Sequence, residues 1–228
     1  MRIGGLEKFS LIDYPGAISA IIFTVGCNFR CPFCHNPALV EETIDTNISK
    51  KEILNFLKKR IGALDAVTIT GGEPTMHSDL IPFIKSIKKL GFKIKLDSNG
   101  TNPEVLRKVL KENLVDYLAM DIKSTPEKYM ATVGRPVNLE KIKESIQIIM
   151  SSGIPYEFRT TVVKALIPEN DFHEIGKMIR GAERYFLQKF IPSNILNPQF
   201  LKKTTYSDDE FKSIKTIMEQ YVKECSIR

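Results

Sequence analysis

Short runs of β-branched and aromatic residues alternate along the chain with longer segments whose apolar residues recur three and four apart. That alternation predicts strand–helix units around a parallel sheet. Strands are expected over residues 18–25, 66–70, 93–97, 117–121, 157–163 and 185–191. Helices are expected over 49–61, 78–90, 103–111, 139–152, 171–180 and 207–224. In the second helix Leu80, Ile81, Ile84, Ile87 and Leu90 form the apolar stripe, and Gly91 supplies the stop. Asn102 before Pro103, and Asn170 before Asp171, read as polar caps that open the next helices. Residues 1–17 contain Gly4-Gly5 and Pro15-Gly16, which predicts a hairpin or an extended arm ahead of the first unit. The expected fold class is α/β. A single domain over 1–228 is predicted, with the arm over 1–17 followed by an incomplete (β/α)6 TIM-like barrel over 18–228. In such folds chemistry gathers at the C-terminal ends of the strands.

Composition narrows the function classes. The 228 residues are 43 % hydrophobic and 26 % charged, an ordinary globular balance that can bury a core without disulfides. The formal charge is +6, but most lysines lie along helical stretches such as residues 50–60 and read as solvated faces. No run interleaves aromatics with Arg and Lys as a nucleic-acid groove does, so no nucleic-acid partner is expected. The longest apolar run, about ten residues, is too short for a bilayer, and the opening residues are not expected to act as a signal peptide. Three of the four cysteines are crowded together, unlike a secreted disulfide framework. A cytoplasmic protein with no membrane partner is expected.

Those three, Cys27, Cys31 and Cys34, stand in a Cys-x3-Cys-x2-Cys run just after the first predicted strand. Thiolates are soft ligands that suit an iron–sulfur cluster or zinc. Three thiolates suit a four-iron cluster with one iron left open. Structural zinc requires a fourth ligand, His35 or a remote group, and His77 and His173 are isolated. Cys225 is expected as a partly buried residue of the last helix. The second strand ends in Gly71-Gly72-Glu73-Pro74, either an ordinary strand-to-helix turn or a site where glycines allow close backbone approach and a carboxylate can pair with an ammonium. The third ends in Asp97-Ser98-Asn99-Gly100 and the fourth in Met120-Asp121-Ile122-Lys123; their carboxylates are either helix caps or ligands. Arg159 on the fifth strand is either one half of a surface ion pair or a site residue.

Taken together these motifs resemble the radical S-adenosylmethionine (SAM) enzymes, and the resemblance runs in order along essentially the whole chain. It implies a 4Fe-4S cluster on Cys27, Cys31 and Cys34, with SAM on the fourth iron. Phe33 matches the aromatic residue usual before the third cysteine, and Asn36 a position that touches the nucleoside. Gly71, Gly72 and Glu73 match the motif for the SAM amino group. Glycyl-radical-enzyme activases carry Asp-Thr-Asn-Gly and Asp-x-Lys motifs at the next two strand ends. There Asp97, Ser98, Met120 and Asp121 would hold a monovalent cation, Na+ or K+. Lys123 and Arg159 would contact SAM. The opening residues 5–16 and the run 24–37 are most similar to activating proteins of anaerobic ribonucleoside-triphosphate reductase. Asp13 is the match to an arm aspartate that approaches the partner's glycine loop, or else a turn former before Tyr-Pro-Gly. The implied partners are a glycyl-radical enzyme, in first place an anaerobic ribonucleotide reductase, and a low-potential electron donor such as flavodoxin or ferredoxin. The sequence departs from pyruvate formate-lyase activases after the sixth strand, where 190–194 holds no histidine and Asn194 is the candidate contact. Other readings stay open: a radical SAM enzyme of another kind, either a pyruvate formate-lyase-type activase or one acting on a small molecule or an RNA-modification intermediate, and a zinc-stabilised binding module without catalysis.

Overall fold

The computed structural model describes residues 1–45 and 48–228. Its elements run β1 Ile3–Ser10, β2 Ser19–Thr24, α1 Pro37–Val40, α2 Lys50–Lys58, β3 Ala66–Gly71, α3 Leu80–Lys88, β4 Lys93–Ser98, α4 Pro103–Lys111 and β5 Tyr117–Asp121. There follow α5 Tyr129–Val133, α6 Leu139–Met150, β6 Tyr156–Val162, α7 Asp171–Met178, β7 Arg184–Lys189, α8 Asp208–Met218 and β8 Glu224–Ile227. The chain divides into two compact units: Met1–Asn28 with Ala38–Ser98 and Asn102–Leu118, and Phe29–Pro37 with Asn99–Thr101 and Ala119–Arg228.

In the first unit β1 and β2 form the antiparallel hairpin expected of the arm, Ile3 opposite Thr24 and Ser10 opposite Ser19. β2, β3 and β4 are parallel, Ser19 beside Ala66 and Thr68 beside Lys95. Side chains alternate across a strand, which sorts this sheet into two faces. One face holds Ala20, Ile22, Val67, Ile69, Ile94 and Leu96, all fully buried. The other holds Ser19, Thr68, Lys95 and Asp97, also buried but polar. The helices supply the apolar cover: α2 buries Ile53 and Leu57, and α3 buries Leu80, Phe83, Ile84 and Ile87. Each such side chain contributes roughly 1.5–3 kcal/mol on leaving water. Of the expected stripe, Ile81 and Leu90 are half-buried, and Phe83 takes their place.

In the second unit β6, β7 and β8 are parallel, with Phe158 beside Tyr185 and Tyr185 beside Cys225. β8 corrects the expectation of one helix over 207–224. α8 ends at Met218, and Cys225 is a buried strand residue rather than a helical one. Four residues reading Glu-Cys-Ser-Ile carry little strand signal; β7 supplies the backbone partners that make them a strand. The short α5 was not expected either.

Two caps are corrected as well. Asn102 makes no side-chain cap; its Nδ2 donates to Thr75 Oγ1 at 3.0 Å. Asn170 is already helical and caps nothing. The caps in use are the Ser49–Glu52 and Ser207–Glu210 capping boxes, with Asn138 ahead of α6.

Candidate active site

Backbone packing sets the start of the cysteine loop. Gly72 N donates to Thr24 O and Glu73 N to Gly26 O, each at 2.8 Å. A Cβ on Gly72 would stand 1.9 Å from Gly26 O, and one on Gly71, where φ is +105°, 2.5 Å from Thr24 N. Only glycine allows that approach. The double glycine is expected to make room for a ligand; what the structure shows is that it brings the end of β3 against the segment that launches Cys27.

In the second unit the rest of the loop is tied down by backbone hydrogen bonds. Cys34 N donates to Cys31 O at 3.0 Å, closing a turn around Phe33, which is buried. Arg30 N donates to Val133 O at 2.8 Å beside Gly134, whose φ is +64°. The segment after β7 reaches the same loop: Leu196 N donates to Cys34 O, Asn197 N to Pro32 O, and His35 Nδ1 lies 3.1 Å from Ser193 O. Because a carbonyl only accepts, Nδ1 of His35 carries the proton. Cys31 is buried, Cys27 and Cys34 are half-buried, and none of the cysteines is in a disulfide. Among the described residues no three His, Cys, Asp or Glu side chains are gathered closely enough to hold a single metal ion.

At the end of β3, Glu73 is 1 % exposed. Its Oε1 accepts from Thr75 N at 3.0 Å, Thr75 Oγ1 at 2.5 Å and Ser98 Oγ at 2.9 Å. With Asn102 on Thr75 this is a connected polar network, which orients a buried carboxylate that would otherwise be costly. Glu73 and Ser98, expected as separate contacts, are bonded to each other.

Each aspartate has a cation beside it. On β4, Lys95 Nζ lies 2.8 Å from Asp97 Oδ1, with side chains 4 % and 10 % exposed. At the end of β5, Arg159 Nε lies 2.6 Å from Asp121 Oδ1 and Lys123 Nζ 3.0 Å from Asp121 Oδ2. Burial alone would raise the Asp121 carboxyl; Arg159 and then Lys123 overcome it and hold the group well below the usual carboxylate range. Burial likewise works to lower Lys123, and the negative charges of Asp121 and Cys31 outweigh it, so the ammonium stays protonated. Glu157, fully buried on β6, takes Arg228 through two bonds of 3.0 and 3.1 Å and lies 3.9 Å from Arg159. Lys123 N donates to the hydroxyl of the fully buried Tyr129 at 3.3 Å.

The remaining expected residues are more loosely engaged. Asp13 is half-buried in the turn of the β1–β2 hairpin, where Ser10 Oγ donates to its carboxylate. Phe9, Leu11 and Ile12 at that tip are exposed. Asn36 is half-buried and Asn194 has a φ of +42°. Met120 lies on the opposite face of β5 from Asp121 and packs over Gly100. Lys95, Glu157, Arg228 and Tyr129 were not anticipated. For Lys95 a signal was present, since a lysine two before an aspartate on a strand shares its face.

Comparison with known proteins gives these pieces a common frame. Residues 21–181 match the model of the radical SAM superfamily. A Methanocaldococcus jannaschii protein bearing the name of a glycyl-radical enzyme activating enzyme is 34 % identical over 99 % of this chain and 95 % of its own. A pyruvate formate-lyase-activating enzyme of Listeria monocytogenes is 34 % identical over 57 % of this chain and 56 % of its own. Among solved structures, a radical SAM methyltransferase from Sphaerobacter thermophilus aligns with a TM-score of 0.74 at 14 % identity, covering 94 % of this chain and 67 % of that one. That likeness establishes the fold as the α/β partial barrel of the superfamily. Membership implies a 4Fe-4S cluster and SAM. Among the described residues no helix is long and apolar enough to cross a membrane. The chain therefore belongs to the radical SAM superfamily, in its group of SAM-dependent glycyl-radical enzyme activases.

Proposed function

We propose that this chain forms the glycyl radical of an anaerobic ribonucleoside-triphosphate reductase, with its cluster held by Cys27, Cys31 and Cys34. The observation that carries the cluster assignment is the donor set: three soft thiols within one eight-residue loop, none in a disulfide. The thiolate is the form that binds iron. When bound, the cluster and SAM supply an electron and a carbon-centred radical able to take a hydrogen atom from a glycine. The protein's own residues bind and orient. Glu73, held by Thr75 and Ser98, offers a fixed carboxylate to an ammonium group. Arg159 and Lys123, both seated on Asp121, offer positive charge to a carboxylate. Gly71 and Gly72 hold the base of the loop, and Phe33 and Tyr129 supply apolar, water-excluding surface around it. Phe9, Leu11, Ile12 and Asp13 form an exposed, mostly apolar tip suited to a protein partner.

The partner assignment is supported by the wording of residues 5–16 and 24–37 and by the absence of a histidine at 190–194. The resemblance over 57 % of the chain to a pyruvate formate-lyase-activating enzyme keeps pyruvate formate-lyase as the second partner. The test mixes reduced, reconstituted protein and SAM with each candidate and reads the glycyl-radical doublet by EPR. A doublet on the reductase alone is expected. A doublet on pyruvate formate-lyase alone would replace the partner.

A further inference from the structure

Two carboxylates that ought to attract a small cation are already answered by cations of the protein. On β4, Lys95 and Asp97 are two residues apart, so their side chains leave the strand on one face. They are 3 % and 7 % exposed and meet at 2.8 Å. The ring of Tyr117 lies 5.9 Å from the same ammonium, adding its negative face. Thr68 stands beside Lys95 in the parallel register of β3. A lysine is kept in such a place only when its charge is matched. In the second unit Asp121 has two protein cations, Arg159 and Lys123. A metal ion added on Asp97 would bring a second full positive charge next to a desolvated ammonium. At Asp121 it would face a guanidinium and an ammonium together. Neither carboxylate offers the uncompensated negative charge that holds Na+ or K+.

We propose that Lys95 is a built-in counter-cation of Asp97, and that with it this chain binds SAM without a monovalent metal ion. The inference rests on the reading that Asp97 belongs to the SAM site. Lys95 is on this view a positioning residue: it neutralises and aims Asp97 and does not touch the reacting atoms. An ammonium donates directed hydrogen bonds, whereas an alkali ion does not, so Asp97 is oriented as well as neutralised.

The test measures SAM binding by equilibrium dialysis on the reconstituted protein, with choline, Na+ or K+ as the only added cation at matched ionic strength. Wild-type affinity is expected to agree across the three within about twofold. In Lys95→Met, affinity in choline is expected to fall by about tenfold, the loss of one charge-assisted contact, and to recover in Na+ or K+. Lys95→Arg retains the charge and is expected to stay indifferent to the cation. Iron content and the EPR signal of the reduced cluster are expected to be unchanged in both variants. A wild-type protein that needs Na+ or K+ for tight binding overturns the proposal, and so does a Lys95→Met variant that the cations fail to rescue. Loss of SAM binding by the wild type in every buffer would instead overturn the underlying SAM-site reading.

Discussion

The ends of β4 and β5 look alike in sequence, each an aspartate after an apolar strand, yet they are charged by different means. Asp97 takes its cation from its own strand, two residues back. Asp121 takes Lys123 from two residues ahead and Arg159 from 38 residues away on β6. The first pair is the more deeply buried, with side chains 4 % and 10 % exposed against 15 % and 21 %. A local pair is settled as soon as the strand forms, whereas the Asp121 cluster exists only after β6 is in place. The contrast shows that a carboxylate at a strand end cannot be assigned as a ligand until its counter-charge is known.

That contrast can be broken by removing one cation at a time. Lys95→Met is expected to have the largest effect, about 3 kcal/mol of unfolding free energy, because it strands a buried carboxylate. Urea unfolding would detect it, and a loss no larger than that of a surface substitution would mean that the pair is not buried in solution. Arg159→Met is expected to cost less, about 2 kcal/mol, since Lys123 remains on Asp121 and Arg228 on Glu157. An order reversed between the two variants would contradict the burial difference. The smallest effect concerns acid. The Asp121 carboxyl titrates lower in the folded chain than its unfolded value of about 3.9. Its stabilisation is therefore present above about pH 4 and lost as pH falls further through the folded value. Urea midpoints of the wild type are expected to drop steeply below pH 4, and those of Arg159→Met more gently; parallel curves would exclude Asp121 as a source of the acid limb.

Much of this architecture was legible beforehand. The six anticipated strands lie within about two residues of β2 to β7, because parallel strands need apolar residues on at least the face that meets the helices. The close backbone approach at Gly71-Gly72 was legible because a double glycine at a strand end leaves room for it. The misses have physical causes. Cys225 was read into a helix because Glu224–Ile227 becomes a strand through β7 and not through its own propensity. Asn102 reads as a cap because its sequence position allows one, whereas in the structure its amide nitrogen donates to Thr75, 27 residues away, a contact no local pattern records. Glu73 is expected from the sequence to pair with an ammonium, and the structure makes it the hub of a hydrogen-bond network with Thr75 and Ser98.

Residue order alone determined the succession of strands and helices, the three thiols in one loop and the aspartates at neighbouring strand ends. These depend on periodicity and short spacing, which a linear chain records directly. Only the tertiary structure decided that Arg159 answers Asp121 and Arg228 answers Glu157, that Gly72 must lack a side chain because Gly26 lies against it, and that the last residues add a strand. Those depend on distances between segments remote in sequence, and a buried charge or a close backbone contact is defined only once both sides are present.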